Sequence, residues 1–398
     1  MLIAIVGKPN SGKSTFFKAA TLAEVAISPI PFTTIKPNEG VGFVRVRCPE
    51  IDFNVKCKPK HGFCLSGNRF VPVKMMDVAG LVPGAHLGKG LGNQFLSDLI
   101  QADVLIHIVD ASGSTNEEGK FVESGSYDPC YDVHFVETEI DKWFTGLLKE
   151  NWNKFVKQSQ KKAVAKALAE QFYGFKITLE QVVFALKKTN LESKELTLWS
   201  DNDISQFATA LRLLSKPVII AANKIDLPAA KTNVEKLRKE FPNYLIVPVS
   251  AEAELALREA AKKELIKYIP GDSEFKILKP DELDEKKIKA LTFIQEKILN
   301  IWGSTGLQQC LNSVVFDFLK YIAVFPVESA IKVSDSKGNI LPDVHLLPPN
   351  STAIDLAEKV HTDFAKNFVG AINARTRQKI GRDAKLQNLD VIEIISSH

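Results

Sequence analysis

The sequence predicts an α/β domain with a mainly parallel sheet, broken by an inserted helical domain and followed by a small α+β module. Three observations predict it. Short β-branched apolar runs alternate with helix-compatible stretches before residue 120 and again after 208, the pattern of a layered α/β sheet. Between 121 and 207 apolar residues recur at helical spacing with no convincing sheet strand. From Tyr321 onward, short strand-like pieces surround one capped helix.

The sheet strands are expected at Leu2–Val6, Val41–Val46, Phe70–Met76, Val104–Val109 and Val218–Ala222, with a sixth at Leu245–Val249. Helices are expected at Ser14–Leu22, Asn93–Leu99 and Lys231–Glu240. Val41 to Met76 leaves no room for a crossover helix and reads as an antiparallel pair with a long connection. In the insertion, Lys142–Leu148, Lys161–Phe172 and Leu179–Lys188 are helical. A last helix of the domain is expected over Glu254–Tyr268, with further helices at Ile288–Trp302 and Leu307–Leu319. The module should contain strands at Ala323–Val327 and Ala330–Val333, a turn over Ser334–Asn339, and a helix capped by Ser351 or Thr352 with Asp355 in its first turn. Its final strand is Asp390–Ile395. The implied division is 1–120 plus 208–270 for the α/β domain, 121–207 for the insertion, 271–320 for a helical connection, and 321–398 for the module.

A chain of 398 residues exceeds one average domain, and 45% hydrophobic with 25% charged residues is globular composition. The N-terminal stretch has neither a basic flank nor an apolar run long enough for a signal peptide or membrane span, and five cysteines argue against a disulfide framework. The expectation is a cytoplasmic protein with no membrane partner; oligomeric state is left open.

Gly7-Lys8-Pro9-Asn10-Ser11-Gly12-Lys13-Ser14 fits GxxxxGK[ST] between a strand and a helix. Its backbone N–H groups would cradle phosphates, with Asn10, Ser11, Gly12 and Thr15 assigned to the same cradle. Lys13 would place its charge at the β- and γ-phosphates, and Ser14 would ligate Mg²⁺. Asp77-Val78-Ala79-Gly80 follows a strand: Asp77 is a candidate Mg²⁺ ligand and Gly80 a γ-phosphate sensor. Asn223-Lys224-Ile225-Asp226 follows another. The Asp226 carboxylate matches the N1–H and N2–H₂ donors of guanine, which adenine lacks on that edge. Lys224 can cover the base and Asn223 can brace the P-loop. Ser250-Ala251-Glu252 would offer the Ala251 N–H to the guanine O6. Pro31-Phe32-Thr33-Thr34 supplies a threonine for Mg²⁺ from a loop after the first helix; on chemistry alone either one serves. Five elements in this order make a GTP site on a P-loop GTPase domain.

The assembled pattern resembles the Obg family of translation-factor-related GTPases, most closely its YchF-like branch. The residues carrying the resemblance are Gly7–Ser14, Pro31–Asn38, Asp77–Ala85 and Gly90–Leu96. It extends over the insertion and the C-terminal module, which is similar to a TGS domain, a β-grasp fold. Within that pattern Thr34 is the switch threonine, and so a metal ligand and catalytic residue. Members of the branch often carry a degraded base motif and accept ATP, whereas this chain keeps Asp226 intact; the residues point to GTP. Leu81 stands where many GTPases place a water-orienting glutamine. The resemblance implies slow intrinsic hydrolysis, with K⁺ assistance through Asn10 as an option, and His86 is within the segment that could reach the water.

Cys48, Cys57, His61 and Cys64 lie in the connection between two strands at near-ligand spacing, an optional Zn²⁺ site against the commoner reading of buried thiols. Lysines at 149, 154, 157, 161, 162 and 166 read as a solvated helix face. Lys366, Arg375, Arg377, Lys379, Arg382 and Lys385 face only Asp383 in acidic opposition nearby. Because the resemblance links TGS modules to RNA, ribosome or RNA contact is expected there, and DNA is not. The leading reading is a GTP-hydrolysing switch; the alternative is a nucleotide-dependent protein-binding scaffold with negligible hydrolysis.

Overall fold

A computed structural model describes residues 1–22, 38–78, 80–81, 84–87, 98–150, 152–159 and 162–397. Seven strands form the first sheet: β1 (Leu2–Val6), β2 (Glu39–Arg47), β3 (Phe63–Leu65), β4 (Asn68–Asp77), β5 (Val104–Asp110), β6 (Val218–Asn223) and β7 (Ile246–Val249). Their order is β2-β4-β1-β5-β6-β7, with β3 also on β4. β1 pairs in parallel with β4 and β5, and β5–β6 and β6–β7 are parallel too. β2 and β3 run antiparallel to β4, as expected for a pair with no crossover helix. Among β1, β5 and β6 every residue is buried, because helices cover both faces of a parallel sheet.

Register fixes the site. Ile5 pairs with Asp77, Asp110 with Asn223 and Asn223 with Val249. The carboxyl ends of five strands therefore converge, where open α/β sheets bind ligands. On one face the helices Cys130–Lys149 and Asp201–Ser215 pack on Leu105, Val78 and Leu81 through Val136, Ile140, Phe144, Phe207 and Leu211. Helical residues of the 121–207 segment thus share a core with the sheet. Capping boxes begin two of these helices, Thr178 with Gln181 and Ser200 with Asp203.

The helix expected to reach Tyr268 stops at Lys262. Ile266–Tyr268 is instead strand β8, paired with β9 (Phe275–Ile277). Leu265-Ile-Lys-Tyr fits either period, and a four-residue run cannot separate them. The C-terminal sheet orders β11 (His345–Leu347), β10 (Ile322–Val327), β14 (Val391–Ser396), β12 (Phe368–Asn373) and β13 (Gln378–Ile380), with β10 and β14 parallel at its centre. Helix Ala353–Val360 packs on it through Leu356 and Ala357, completing a β-grasp. Thr352 is its N-cap, and Asp355 Oδ2 accepts both the Thr352 N–H and hydroxyl. Ala330–Val333 is a turn rather than a strand, ending on Val333 at φ 47°.

The C-terminal module is joined to the first sheet by continuous packing. Phe325 and Val327 share a core with Val44, Val71 and Val73. Arg69, fully buried, donates to the carbonyls of Leu341 and Pro342 at 3.0 and 2.9 Å. No helix among the described residues is long and apolar enough to cross a membrane.

Candidate functional site

The P-loop is shaped by two close approaches. A Cβ on Gly7 (φ 148°) would lie 2.5 Å from the Ile108 carbonyl oxygen. One on Gly12 (φ 98°) would lie 2.2 Å from Asn223 Nδ2, so only glycine lets the loop fold against β5 and the base motif. Asn10 is also left-handed at φ 58°, and its amide donates to the Gly119 carbonyl at 3.0 Å. This engages the side chain that the K⁺ option would use. Ser11 donates to the Lys8 carbonyl at 3.0 Å. Thr15 lies in the first turn of the helix Lys13–Thr21.

Lys13 Nζ donates to the Lys8 carbonyl at 2.7 Å, a bond that bridges the mouth of the loop. Burial lowers its pKa to about 8, with the Asp77 charge pulling the other way. Ser14 donates to Asp77 Oδ2 at 3.0 Å. Among the described residues Asp77 Oδ1 is buried with no hydrogen-bond partner, and burial raises the pKa of this carboxylate. A hydroxyl and a carboxylate, one oxygen of it unsatisfied, fit the hard-oxygen preference of Mg²⁺. Gly80 stands beside them: a Cβ there would be 3.4 Å from Lys13 Nζ. Thr33 and Thr34 lie outside the described residues, as do Ala79, Gly90–Leu96 and most of the helix expected at Asn93–Leu99.

The base motif is braced from three sides. Asn223 Nδ2 donates to the Ser11 carbonyl at 3.0 Å, while its Oδ1 accepts the Ala251 N–H at 3.1 Å. The Ala251 N–H, expected to meet a base O6, is bonded to Asn223 in this structure. The Ser250 hydroxyl donates to Asp226 Oδ1 at 2.8 Å and accepts the Ala253 N–H at 3.3 Å, serving as ligand orienter and N-cap together. Lys224, at φ 66°, forms an ion pair of 2.8 Å with the fully buried Asp110. Burial would raise the Asp110 pKa, but bonds from Lys224, Ser112 and Thr115 hold it below the ordinary carboxylate value. Lys224 is thus fixed before any base arrives.

Several contributors were not foreseen. Lys8, almost wholly buried, pairs with Asp132 at 2.9 Å, donates to the Thr115 carbonyl and sits 4.0 Å over the Tyr127 ring. It ties the P-loop to the helix Cys130–Lys149. Phe121, 75% exposed, lies with its ring 5.9 Å from Lys224 Nζ. Exposed aromatic surface beside the base motif was the available signal. His86 is held by Glu139, whose Oε2 lies 2.7 Å from Nδ1. Leu81 is buried and donates its N–H to the Gly7 carbonyl.

Of the cysteine set, Cys48, Cys57 and Cys64 do converge, but His61 is not among them; Glu50 completes the group. The C-terminal basic cluster is partly consumed. Arg375 pairs with Asp52 at 2.7 Å, Arg377 donates to the Ala330 carbonyl, and Lys366 pairs with Asp363. Lys379 and Arg382 are exposed. In the insertion, Lys149 pairs with Asp201 and Lys162 with Glu170.

Comparison with known proteins agrees with this arrangement. Residues 2–131 match the model of the 50S ribosome-binding GTPase family, 221–329 that of the Obg-like GTPase YGR210-like, G4 motif-containing domain, and 337–396 the TGS domain. An uncharacterized GTP-binding protein of Methanocaldococcus jannaschii is 44% identical over 100% of this chain and 99% of its own. The chain belongs to the Obg-like family of GTP-binding proteins. The crystal structure of a GTP-binding protein from Pyrococcus horikoshii OT3 superposes on this Obg-like chain with TM-score 0.78, at 40% identity and full coverage of both. Obg-like ATPase 1 of Rattus norvegicus is 30% identical over 93% of this chain and 81% of its own. This Obg-like protein therefore has relatives named for either nucleotide, and its own base motif bears on the choice.

Proposed function

We propose that the chain is a guanine-selective switch that binds GTP with Mg²⁺, hydrolyses it slowly, and passes its nucleotide state to an RNA or ribosomal partner through the C-terminal module. The observation that carries the guanine reading is the Asp226 carboxylate, oriented by Ser250 at 2.8 Å on a motif already locked by Asn223 and Lys224. Two acceptor oxygens there complement the paired donors of guanine.

Bound phosphates replace the Lys8 carbonyl as the partner of the Lys13 ammonium, which moves its charge onto the oxygens that gain negative charge in the transition state. Ser14, Asp77 and Thr34 would hold Mg²⁺, which would supply neutralisation of phosphate charge. Gly80, beside Lys13, reports the γ-phosphate through its backbone N–H. The buried Leu81 cannot orient water. That burial supports a slow rate, and favours as second reading the scaffold whose hydrolysis is negligible. His86, braced by Glu139, is a side chain of the switch segment with acid–base chemistry to offer.

The exposed Lys379 and Arg382 support a polyanionic partner. Pelleting of protein loaded with GTP, GDP or a non-hydrolysable analogue with ribosomes, across a salt series, tests the partner. The switch reading expects retention in one nucleotide state only, falling steeply with salt; equal retention in all states contradicts it. Phosphate release in the same samples separates switch from scaffold, since the scaffold yields none above the protein-free blank.

A further inference from the structure

Away from the nucleotide site, four side chains meet in the connection between β2 and β4. Cys48 Sγ, Cys57 Sγ, Cys64 Sγ and one carboxylate oxygen of Glu50 all lie within 4.8 Å of one another. The cysteines are free thiols. Cys48 is fully buried while Cys57, Cys64 and Glu50 are half-buried, so the group has a closed floor and a route from solvent. The four come from separate pieces of chain: the end of β2, the one-turn helix Glu50–Phe53, the coil at residue 57, and β3.

From this geometry we infer a structural Zn²⁺ site with Cys48, Cys57, Cys64 and Glu50 as its ligands. Zinc–thiolate bonds of about 2.3 Å at tetrahedral angles put the sulfurs roughly 3.8 Å apart, a contraction the 4.8 Å cluster needs only side-chain rotation to reach. Three soft sulfurs and one oxygen select zinc over the hard cations that suit Asp77. Glu50 is prepared for the part. Its Oε2 accepts the Cys57 N–H at 2.8 Å, fixing the carboxylate, and its Oε1 accepts the Cys64 thiol at 3.2 Å. On binding, the three thiols release three protons to solvent, Oε1 exchanges that thiol for the metal, and no electron is transferred. His61 has another environment, lining a cleft with Val71, Pro72 and His345.

The site sits where it can act on domain docking. Lys58 N–H donates to the Ile340 carbonyl at 2.8 Å and Lys60 N–H to the Pro342 carbonyl at 2.9 Å. The Lys60 ammonium reaches Asp335 and Asp343 at 3.1 and 3.3 Å. These contacts lie between Cys57 and Cys64, so a metal joining the two cysteines closes the base of the strap that holds the C-terminal module.

The test uses the full chain, purified under reductant. Elemental analysis after dialysis, then Co²⁺ substitution, should give about one metal per chain and a thiolate-to-cobalt charge-transfer band with intense visible ligand-field bands, the signature of tetrahedral sulfur ligation. Cys57→Ser and Cys64→Ser should each weaken zinc at least roughly 100-fold, Glu50→Gln about tenfold, and Cys310→Ser not at all. Chelation should also speed amide exchange at Lys58 and Lys60 in the wild type. Absence of metal with a weak, octahedral cobalt spectrum overturns the site, as does unchanged affinity in both serine variants. A chain found metal-free with a disulfide among the three cysteines overturns it too.

Discussion

Glu139 grips the turn at His86 twice over: its Oε2 lies 2.7 Å from His86 Nδ1 and accepts the His86 backbone N–H at 3.0 Å. Its other oxygen accepts the Gly84 N–H, also at 3.0 Å. Burial would raise the Glu139 pKa, but bonds from the His86 backbone, the His86 ring and Gly84 outweigh it and lower the value. One carboxylate from the helix Cys130–Lys149 thereby holds the turn that follows Gly80. Any movement of that turn on loss of the γ-phosphate must either drag the helix or break these bonds.

Replacing Glu139 by Ala should release the turn while leaving the P-loop intact. Each lost charge-assisted bond is worth about 1.5 kcal/mol, so amide exchange at Gly84 and His86 should accelerate by roughly tenfold or more. Exchange at Lys13 and Ser14 should be unchanged. Hydrogen exchange read by NMR or mass spectrometry checks this, and unaltered protection at His86 would show that the carboxylate is not what holds it.

Nucleotide affinity should depend on pH through Lys13. In the free protein burial lowers its pKa to about 8, and phosphates stabilise the charged form, so the bound pKa lies higher. Below about 8 both states carry the proton and this group adds no pH dependence. Above it, binding must take up a proton, and affinity should fall about tenfold per pH unit. Calorimetry in buffers of different ionisation enthalpy at pH 9 should register that uptake, and Lys13→Arg should abolish it.

His107 should make the fold sensitive to acid. Burial, with the Lys13 and Lys8 charges, lowers its pKa from an ordinary 6.5 to about 3, and its Nε2 is buried without a partner among the described residues. Between those values the unfolded chain binds a proton that the folded chain refuses. The contribution of this group is therefore fully present above about pH 6.5 and falls by about 1.4 kcal/mol for each pH unit below it. Denaturant unfolding of wild type and His107→Leu from pH 7 to pH 5 should give a slope shallower by that amount in the variant.

What could be read from the sequence was the chemistry carried by contiguous residues. Gly7–Ser14, Asp77–Gly80 and Asn223–Asp226 each state a strand end and a reactive group within eight positions, and the strands that present them were placed to within a few residues. Contacts between distant positions could not be read. Glu139 lies 53 residues from His86, and an acid inside an amphipathic helix looks like solvated surface until the helix packs on the turn at His86. Asn223 taking the Ala251 N–H depends on β6 lying beside β7 in one register. Spacing suggested His61 as a metal ligand; the fold placed that residue in a cleft it lines with His345 and brought in Glu50, whose place in the first turn of a helix is equally well explained by the helix dipole. Arg375 looked like free basic surface because Asp52 is far away in sequence and meets it only when the β-grasp module docks.

Guanine selection rests most heavily on Asp226. Loss of two charge-assisted hydrogen bonds to guanine amounts to about 3 kcal/mol, roughly 100-fold in affinity. Competitive titration of GTP and ATP against wild type and Asp226→Asn measures that term directly. Guanine selection by Asp226 predicts that wild type prefers GTP by at least about 100-fold, and that the variant loses GTP affinity by a similar factor while ATP binding is unchanged. Equal affinity of the wild type for the two nucleotides, or a variant that binds GTP as before, would contradict it.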